Sequence, residues 1–177
     1  MSAPAPVLAA VGPEAVRARR SELAALLQDA VDSGASVGFL PPVSDEEALA
    51  YWSGVEAAVA EGSRVLVLAT EGAGGALLGS AQLDLAGRPN ASHRAEVAKV
   101  MVHRSARRRG IGRALMEGVE AEARRLGRTT LILDTRQGDP SEVLYRSQGW
   151  TLAGTIPRYA RSATGSLDAT ALYYKLL

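Results

Sequence analysis

The chain has 177 residues and no cysteine, which suits one domain spanning 1–177 with a substantial core. The lack of cysteine excludes disulfides, thiolate metal sites and a cysteine nucleophile. The formal net charge is only +1, from 20 basic and 19 acidic residues, so a broad nucleic-acid-binding surface is disfavoured and we expect no nucleic-acid partner.

The first third of the chain is predicted to be mainly helical. Residues 1–12 lack a basic n-region and contain two prolines, so we expect a loose segment rather than a secretion signal. Apolar spacing predicts a first helix over 13–31. Ser44 and Glu47 are typical of a capping box that opens a second helix ending at Ala60. Because no apolar run approaches membrane-spanning length, we expect a cytoplasmic protein with no membrane partner.

Strands and helices alternate in the rest of the chain. RVLVLAT and ALLGSAQLDLA, with glycines between them, predict an antiparallel hairpin. A strand over 95–102, a helix over 110–126 and the strand TTLILDT follow. The short helix PSEVLYRSQ and the strands TLAGTIP and TALYYKLL complete the order. This order predicts an α+β fold, a mixed sheet covered by helices.

The most informative stretch is a basic, glycine-containing loop directly before the third predicted helix. Gly110 and Gly112 lack a Cβ, so the loop can turn its N–H groups inward, and the helix adds the positive end of its dipole. The pattern therefore predicts an anionic cofactor. The loop consists of Arg107, Arg108, Arg109, Gly110, Ile111, Gly112 and Arg113.

Glycine-containing loops before a helix also have three other interpretations. A nucleotide-triphosphate loop needs four residues between its glycines and then Lys with Ser or Thr, which are absent here. A dinucleotide fold needs its first glycine at the strand end, and Leu115 occupies the third glycine position. The glycines could also form only a helix-start turn beside solvated arginines.

The flanking segments decide between these interpretations. Arg107, Gly110 and Gly112 match the R/Q-x-x-G-x-G/A motif of the GCN5-related N-acetyltransferases, after the strand VAKVMVHRSA and before a helix. LYRSQGW, residues 144–150, is similar to that family's aromatic-x-x-x-Gly-aromatic signature. The chain thus resembles this family over roughly 64–177. SGASVGFL and RAEVAKVMV are similar to its tabtoxin resistance type, a toxin-modifying acetyltransferase.

The resemblance implies a mostly antiparallel twisted sheet with helices on both faces and acetyl-CoA as the acyl donor. Main-chain N–H groups over 108–113 would bind the pyrophosphate, and the arginine side chains would reach the adenosine phosphate. A parallel strand pair would splay at the cofactor site, freeing main-chain groups for the pantetheine arm and the thioester carbonyl. The splayed strand contributes Val100, Met101 and Val102.

The resemblance also implies direct attack of an amine on the thioester, without an acyl-enzyme. An ammonium must lose a proton first, so a carboxylate is the natural base. Glu96 is the preferred base, and Asp134 would bind the substrate ammonium or assist, although acids at strand ends often only face solvent. Tyr145, beside the cofactor sulfur, would protonate the departing thiolate with little penalty if its pKa were about 10.

The acceptor is predicted to be a small amine, in the finer resemblance an amino-acid-like antibiotic or metabolite. Glu96 and Asp134 belong to the predicted acceptor pocket. Phe39 is also a core candidate and Ser36 a solvent-exposed one. The remaining pocket candidates are Ser36, Phe39, Leu40, Gln82 and Tyr159.

Other residues carry weaker expectations. Trp150 is predicted to be core. His93 and His103 are too isolated for a metal centre, so no metal is expected. Either a monomer or a homodimer is compatible with the sequence. An acyl-CoA sensor without turnover and a nucleotide-binding oxidoreductase remain as alternative functions.

Overall fold

The computed structural model describes residues 6–177, which form a sheet with helices on both faces. The elements in chain order are β1 (Val7–Val11), α1 (Pro13–Ala18), α2 (Arg20–Asp32), α3 (Asp45–Ala60), β2 (Arg64–Thr70), β3 (Leu77–Leu85), β4 (Arg94–Val102), α4 (Ile111–Arg125), β5 (Thr130–Arg136), α5 (Ser141–Ser147), β6 (Thr151–Arg161) and β7 (Leu167–Leu176).

The sheet has seven strands in the order β1-β2-β3-β4-β5-β7-β6. All neighbours pair antiparallel except β4 and β5, which are parallel because α4 crosses between them. The predicted fold class, a mixed, mostly antiparallel sheet with a parallel pair and helices on both faces, is confirmed.

The N-terminal prediction is wrong for the residues that the structure describes. Val7–Val11 is an edge strand, not a loose segment, and it pairs with β2 from Val7↔Thr70 to Val11↔Leu66. This short, alanine-containing strand has a weak local signal and is stabilised by its partner strand. The part of the prediction that concerns residues 1–5 lies outside the described residues.

The helical predictions differ in accuracy. The helix expected over 13–31 is two helices, since Arg19 leaves helical geometry with φ −103° and ψ 14°. Ser44 is confirmed as the N-cap of a helix that ends at Ala60, because its Oγ accepts a hydrogen bond of 3.1 Å from the Glu47 N–H, which is one half of the predicted capping box. This cap fixes the start of α3, and with it the end of the loop that follows α2.

Two apolar cores lie on opposite faces of the sheet. One packs α4 against the strands and includes Leu115, Val119 and Trp150, so the predicted core position of Trp150 is confirmed. The other packs α1, α2 and α3 against the opposite face and includes Leu27 and Trp52. Strand side chains alternate between these cores, so each strand residue belongs to an identifiable face.

Candidate active site

The parallel strands β4 and β5 part in the middle of the sheet. Their ladder runs only from Arg94↔Thr130 to Glu96↔Ile132, although β4 continues to Val102. Within the described chain, the remainder of β4 therefore has no ladder partner on the β5 side. The predicted splay is confirmed, and it opens a gap between the two faces of the sheet.

A β-bulge in β4 reverses the phase of its side chains. Opposite β3 the register steps from Gln82↔Ala98 to Ser80↔Met101, so β4 holds one extra residue. Val97 packs in the α4 core, whereas Met101 packs in the core beneath α1–α3. Lys99 lies in the bulge with φ 51°, and its side chain reaches the α2–α3 side.

The glycine loop forms a tight turn into α4. Arg108 and Gly110 have φ values of 60° and 77°, and Gly110 is the N-cap. The first N–H groups of a helix have no intrahelical acceptor, so those of Ile111, Gly112 and Arg113 are available to an anion. A Cβ on Gly112 would lie 3.3 Å from Leu144 Cδ2. The absence of a side chain at Gly112 therefore lets this end of α4 lie close to α5.

The arginines of the loop make contacts that hold it in place. Arg107 Nε donates to the Val102 carbonyl at 3.2 Å, and Arg113 Nη2 donates to Ser147 Oγ at 3.0 Å. Arg109 pairs with Glu71 at 3.5 Å. The loop is thus more than a solvated charge run, and its cradle of N–H groups and cations fits a diphosphate. Adenosine-phosphate binding by these arginines remains a prediction.

A carboxylate fixes the segment that leads into this loop. Asp29, at the buried side of α2, accepts from the Arg104 N–H at 2.9 Å and from the Arg104 side chain. Burial opposes its ionisation, but these hydrogen bonds and the nearby His103 and Arg104 charges lower its pKa overall. Asp29 therefore links α2 to the loop.

A cavity of about 1020 Å³ occupies the gap and brings most of the predicted acceptor-pocket residues together, whereas Met101, Val102 and the loop over 107–113 do not line it. The loop after α2 forms one wall, β4 and β5 form the floor, and the segment after β6 forms another wall. Tyr145 belongs to the α4 core and yet lines this cavity, so the cavity reaches both faces of the sheet. The predicted residues that line it are Ser36, Phe39, Leu40, Glu96, Val100, Asp134, Tyr145 and Tyr159.

Glu96 and Asp134 have different environments on the cavity floor. Desolvation and the charges of Asp134 and Asp84 raise the pKa of Glu96. Asp134 Oδ2 accepts a hydrogen bond of 3.0 Å from Thr170 Oγ1. One acid is therefore tuned toward proton acceptance and the other is held in position.

Tyr145 is a weaker acid than the sequence suggested. It is 7% exposed, and its ring packs 6.3 Å from that of Trp150 and 6.1 Å from that of Tyr173. Burial, followed by the charges of Asp134 and Asp139, raises its pKa to about 12. Full proton transfer to a thiolate of pKa about 8.5 then costs about 5 kcal/mol, so the expectation of little penalty is wrong.

One predicted pocket residue lies elsewhere. Gln82 is fully buried and does not line the cavity; its Nε2 donates to Tyr51 Oη at 2.9 Å, and its Oε1 accepts from Arg64 at 3.0 Å. Its side chain thus joins β3 to α3 and β2. Phe39 occupies both expected positions, because its ring packs edge-on against Tyr51 at 5.2 Å and also lines the cavity; acceptor binding by Phe39 remains a prediction.

Sequence reasoning missed several cavity-lining polar residues, among them Arg136, Ser141 and Lys99. Arg136 donates to the Gly34 carbonyl at 2.7 Å, which ties the loop after α2 to β5. Ser141 Oγ lies 2.8 Å from Thr135 Oγ1, next to Tyr145. Lys99 belongs to the segment RAEVAKVMV, in which strict alternation would place its side chain on the face opposite Glu96. Only the bulge brings the Lys99 side chain to the same face as Glu96.

The described range, residues 6–177, contains neither a candidate metal cluster nor a membrane-spanning helix. No group of three or more His, Asp or Glu side chains there could hold a metal ion. No helix in that range is long and apolar enough to cross a membrane. His93 is exposed, whereas the His103 side chain is 40% exposed and lies 3.7 Å from Asp29.

Comparisons with known proteins agree with this geometry. Residues 24–150 match the model of the acetyltransferase (GNAT) family. Similar solved structures include a GCN5-related N-acetyltransferase from Kribbella flavida, with 24% identity, 98% coverage of each chain and a TM-score of 0.78. A ribosomal-protein-alanine N-acetyltransferase from Brucella melitensis has 23% identity, coverage of 97% and 99%, and a TM-score of 0.76.

A phosphinothricin acetyltransferase from Sinorhizobium meliloti, solved in complex with acetyl-CoA, is also similar. It has 22% identity and a TM-score of 0.77, over 98% of this chain and 89% of that chain. Since the family model covers most of the sequence, the chain belongs to the GNAT acetyltransferase family. It is an acetyltransferase, and its cofactor is acetyl-CoA, as the sequence predicted.

Proposed function

We propose that this chain is an N-acetyltransferase that acetylates the amine of a small, amino-acid-like antibiotic or metabolite. The observation that carries the proposal is the cavity at the β4–β5 gap, which brings Glu96, Asp134 and Tyr145 together. The likeness to a phosphinothricin acetyltransferase supports a small acceptor. A cytoplasmic setting, one domain, and a monomer or homodimer belong to the same proposal.

The donor side is formed by α4 and β4. The N–H groups of the first turn of α4, with Gly110 and the loop arginines, hold the diphosphate. Main-chain groups of Val100, Met101 and Val102 pair with the pantetheine arm, because β5 has turned away from them. Acetyl-CoA supplies an acetyl thioester, the electrophile for the amine.

The acceptor side is formed by the cavity floor. Asp134, held by Thr170, binds the acceptor as an ammonium. Glu96 accepts one proton, directly or through water, and thereby releases the nitrogen lone pair. The raised pKa of Glu96 makes it a better base near neutral pH than an ordinary carboxylate.

Tyr145 acts on the sulfur of the departing CoA thiolate. With a pKa of about 12 it stays protonated throughout the neutral range, so it donates a hydrogen bond to the sulfur as negative charge develops there. A buried hydroxyl needs no reorganisation to do this. Ser141 and the rings of Trp150 and Tyr173 keep the phenol in place.

Binding tests the donor side. Thermal unfolding with acetyl-CoA, CoA, NAD or ATP should show stabilisation by the first two alone, of about 2.7 kcal/mol when the ligand is at 100 times its Kd. Stabilisation by NAD without stabilisation by CoA compounds would support the oxidoreductase alternative and contradict the proposal.

Turnover separates an enzyme from a sensor. Release of CoA thiol should require an amine acceptor, and Tyr145→Phe should lower kcat by about 10- to 100-fold because one hydrogen bond to developing charge is lost. The phenylalanine keeps the ring contacts, so the melting temperature should change little. Acetyl-CoA binding without thiol release for any amine would favour the sensor.

A further inference from the structure

Lys99 is a positive charge placed where the acceptor would lie. It is half-buried in the cavity wall and is one of two lysines in the chain. Its Nζ lies 5.9 Å from the centre of the Tyr51 ring, and a Cβ on Gly38 would be 3.4 Å from it. The ammonium therefore lies against the loop that follows α2, on the acceptor side.

Within the part of the chain that the structure describes, this ammonium has no carboxylate partner at ion-pair distance. Among residues 6–177 it forms no ion pair, although Asp84, Glu96 and Asp134 are near enough to influence it. Asp84 pairs with Arg64, and Asp134 is held by Thr170. Desolvation, followed by the nearby charge of Arg64, lowers the pKa of Lys99 overall, so the Tyr51 ring and these acids offset the cost of burying its charge only in part.

The bulge gives Lys99 this position. Without the extra residue, Lys99 would share the face of Val97 and point into the α4 core. With φ at 51°, a non-glycine residue adopts a conformation that is uncommon and costs energy. Lys99 thus combines a charge that has no carboxylate partner within residues 6–177 with a strained backbone conformation. This combination favours a role in binding an anion that is not part of the protein.

The charges on the cavity floor are complementary to a zwitterion. Glu96 and Asp134 offer negative charge for an ammonium, and Lys99 offers positive charge on the same face of the sheet. A simple amine would satisfy only the carboxylates and leave the lysine unpaired. An acceptor with an oxyanion beside its amine would satisfy both sets.

We infer that Lys99 binds the oxyanion of a zwitterionic acceptor, a carboxylate or a chemically similar group, and so selects amino-acid-like amines over simple amines. This inference rests on the proposed acetyltransferase function and assigns a specificity-determining residue to it. Lys99 and the acid pair then hold the two ends of the acceptor, which orients the nitrogen toward the gap.

The test compares α-amino acids with their primary amides, which keep the shape but lose the negative charge. Wild type should prefer the acid of each pair. Lys99→Met, similar in length but uncharged, should lower the acid-to-amide ratio of kcat/KM by about 10- to 100-fold. Lys99→Arg should keep much of the preference. Arg88→Met removes a positive charge at an exposed residue outside the cavity and should leave the ratio unchanged.

Calorimetry on the CoA complex provides a second readout that does not need turnover. The amino acid should bind wild type more tightly than its amide, and Lys99→Met should remove that difference. Equal losses for acid and amide would overturn the inference and assign Lys99 to the acid pair or to stability. Failure of wild type to transfer acetyl to any amine contradicts the proposed function instead, and calorimetry still decides the role of Lys99.

Discussion

Glu96 and Tyr145 show how surroundings decide what a side chain can do. Both were candidates from the sequence, and both line the cavity. Desolvation, followed by the charges of Asp134 and Asp84, raises the pKa of Glu96, so its carboxylate is a stronger base than an ordinary glutamate. Burial instead raises the pKa of Tyr145 to about 12, which makes it a hydrogen-bond donor rather than a ready source of protons.

Glu96→Gln should remove the acidic limb of the pH–rate profile. A base acts only when deprotonated, so wild-type kcat/KM should rise with pH, with a midpoint above the ordinary glutamate value because the pKa of Glu96 is raised. We expect the variant to lose about 10²- to 10⁴-fold in kcat. Thiol release between acidic and neutral pH measures both effects.

Glu117→Gln is the matched control for this prediction, because Glu117 is exposed on α4 and does not line the cavity. It should keep the wild-type rate and profile. An acidic limb that persists unchanged in Glu96→Gln would assign the base to another group, with Asp134 the first candidate.

The limits of sequence reasoning at this scale have a physical cause. Tyr145 follows from a local motif, and Glu96 and Asp134 follow from their places on consecutive strands. Lys99 was missed because one extra residue in β4 decides where it points, and Gln82 was misplaced because its contact with Tyr51 turns it away from the cavity. Both depend on pairing between segments distant in sequence, which local patterns do not contain.

At the scale of elements, β3 approaches its neighbours closely beside the bulge. Gly79 pairs with Val102, and a Cβ there would lie 2.6 Å from the Met101 carbonyl oxygen and 3.1 Å from Leu115 Cδ1. The first of these is a backbone atom that cannot move aside alone. The absence of a side chain at residue 79 therefore lets β3, β4 and α4 pack together.

Gly79→Ala should lower the free energy of unfolding by about 1–3 kcal/mol, since the backbone must shift to relieve the overlap. Gly54→Ala is the counterpart, because Gly54 is exposed within α3 and a Cβ there meets nothing within 4 Å. That variant should gain about 0.5–1 kcal/mol. Urea midpoints measure both, and equal stability of the two variants would contradict the packing argument.

Local patterns predicted the type of most elements more accurately than the residues at which those elements begin and end. The hairpin and the cap of α3 followed from turn glycines and Ser44, whereas the parallel pair followed from the family resemblance. The strand Val7–Val11 and the break at Arg19 were missed. A strand that depends on its partner, and a helix interrupted without proline or glycine, leave little trace in local sequence.

At the scale of the molecule, one sheet joins two cores. The chain has two tryptophans; Trp52 is 0% exposed beneath α1–α3, and Trp150 is 4% exposed beneath α4. Both cores pack against the same strands, one on each face of the sheet. Disruption of one core therefore disturbs those strands and exposes apolar side chains of the other core. The cores should therefore unfold together.

Single-tryptophan variants test this coupling. Trp52→Phe leaves Trp150 as the reporter of the α4 core, and Trp150→Phe leaves Trp52 for the other core. In each variant the urea midpoint from fluorescence should coincide with that from far-ultraviolet circular dichroism. If Trp52 fluorescence changed at lower urea than the dichroism of the same variant, the α1–α3 side would open on its own.

The parting of β4 and β5 also bears on how this enzyme could change its chemistry over time. The sheet separates the two proposed binding regions except at this gap: the glycine loop proposed to bind the diphosphate lies on one face, and the loop after α2 proposed to contact the acceptor lies on the other. Substitutions in the loop after α2 therefore need not disturb the glycine loop before α4. The same partition would let a lineage exchange one acceptor for another while its donor stays the same.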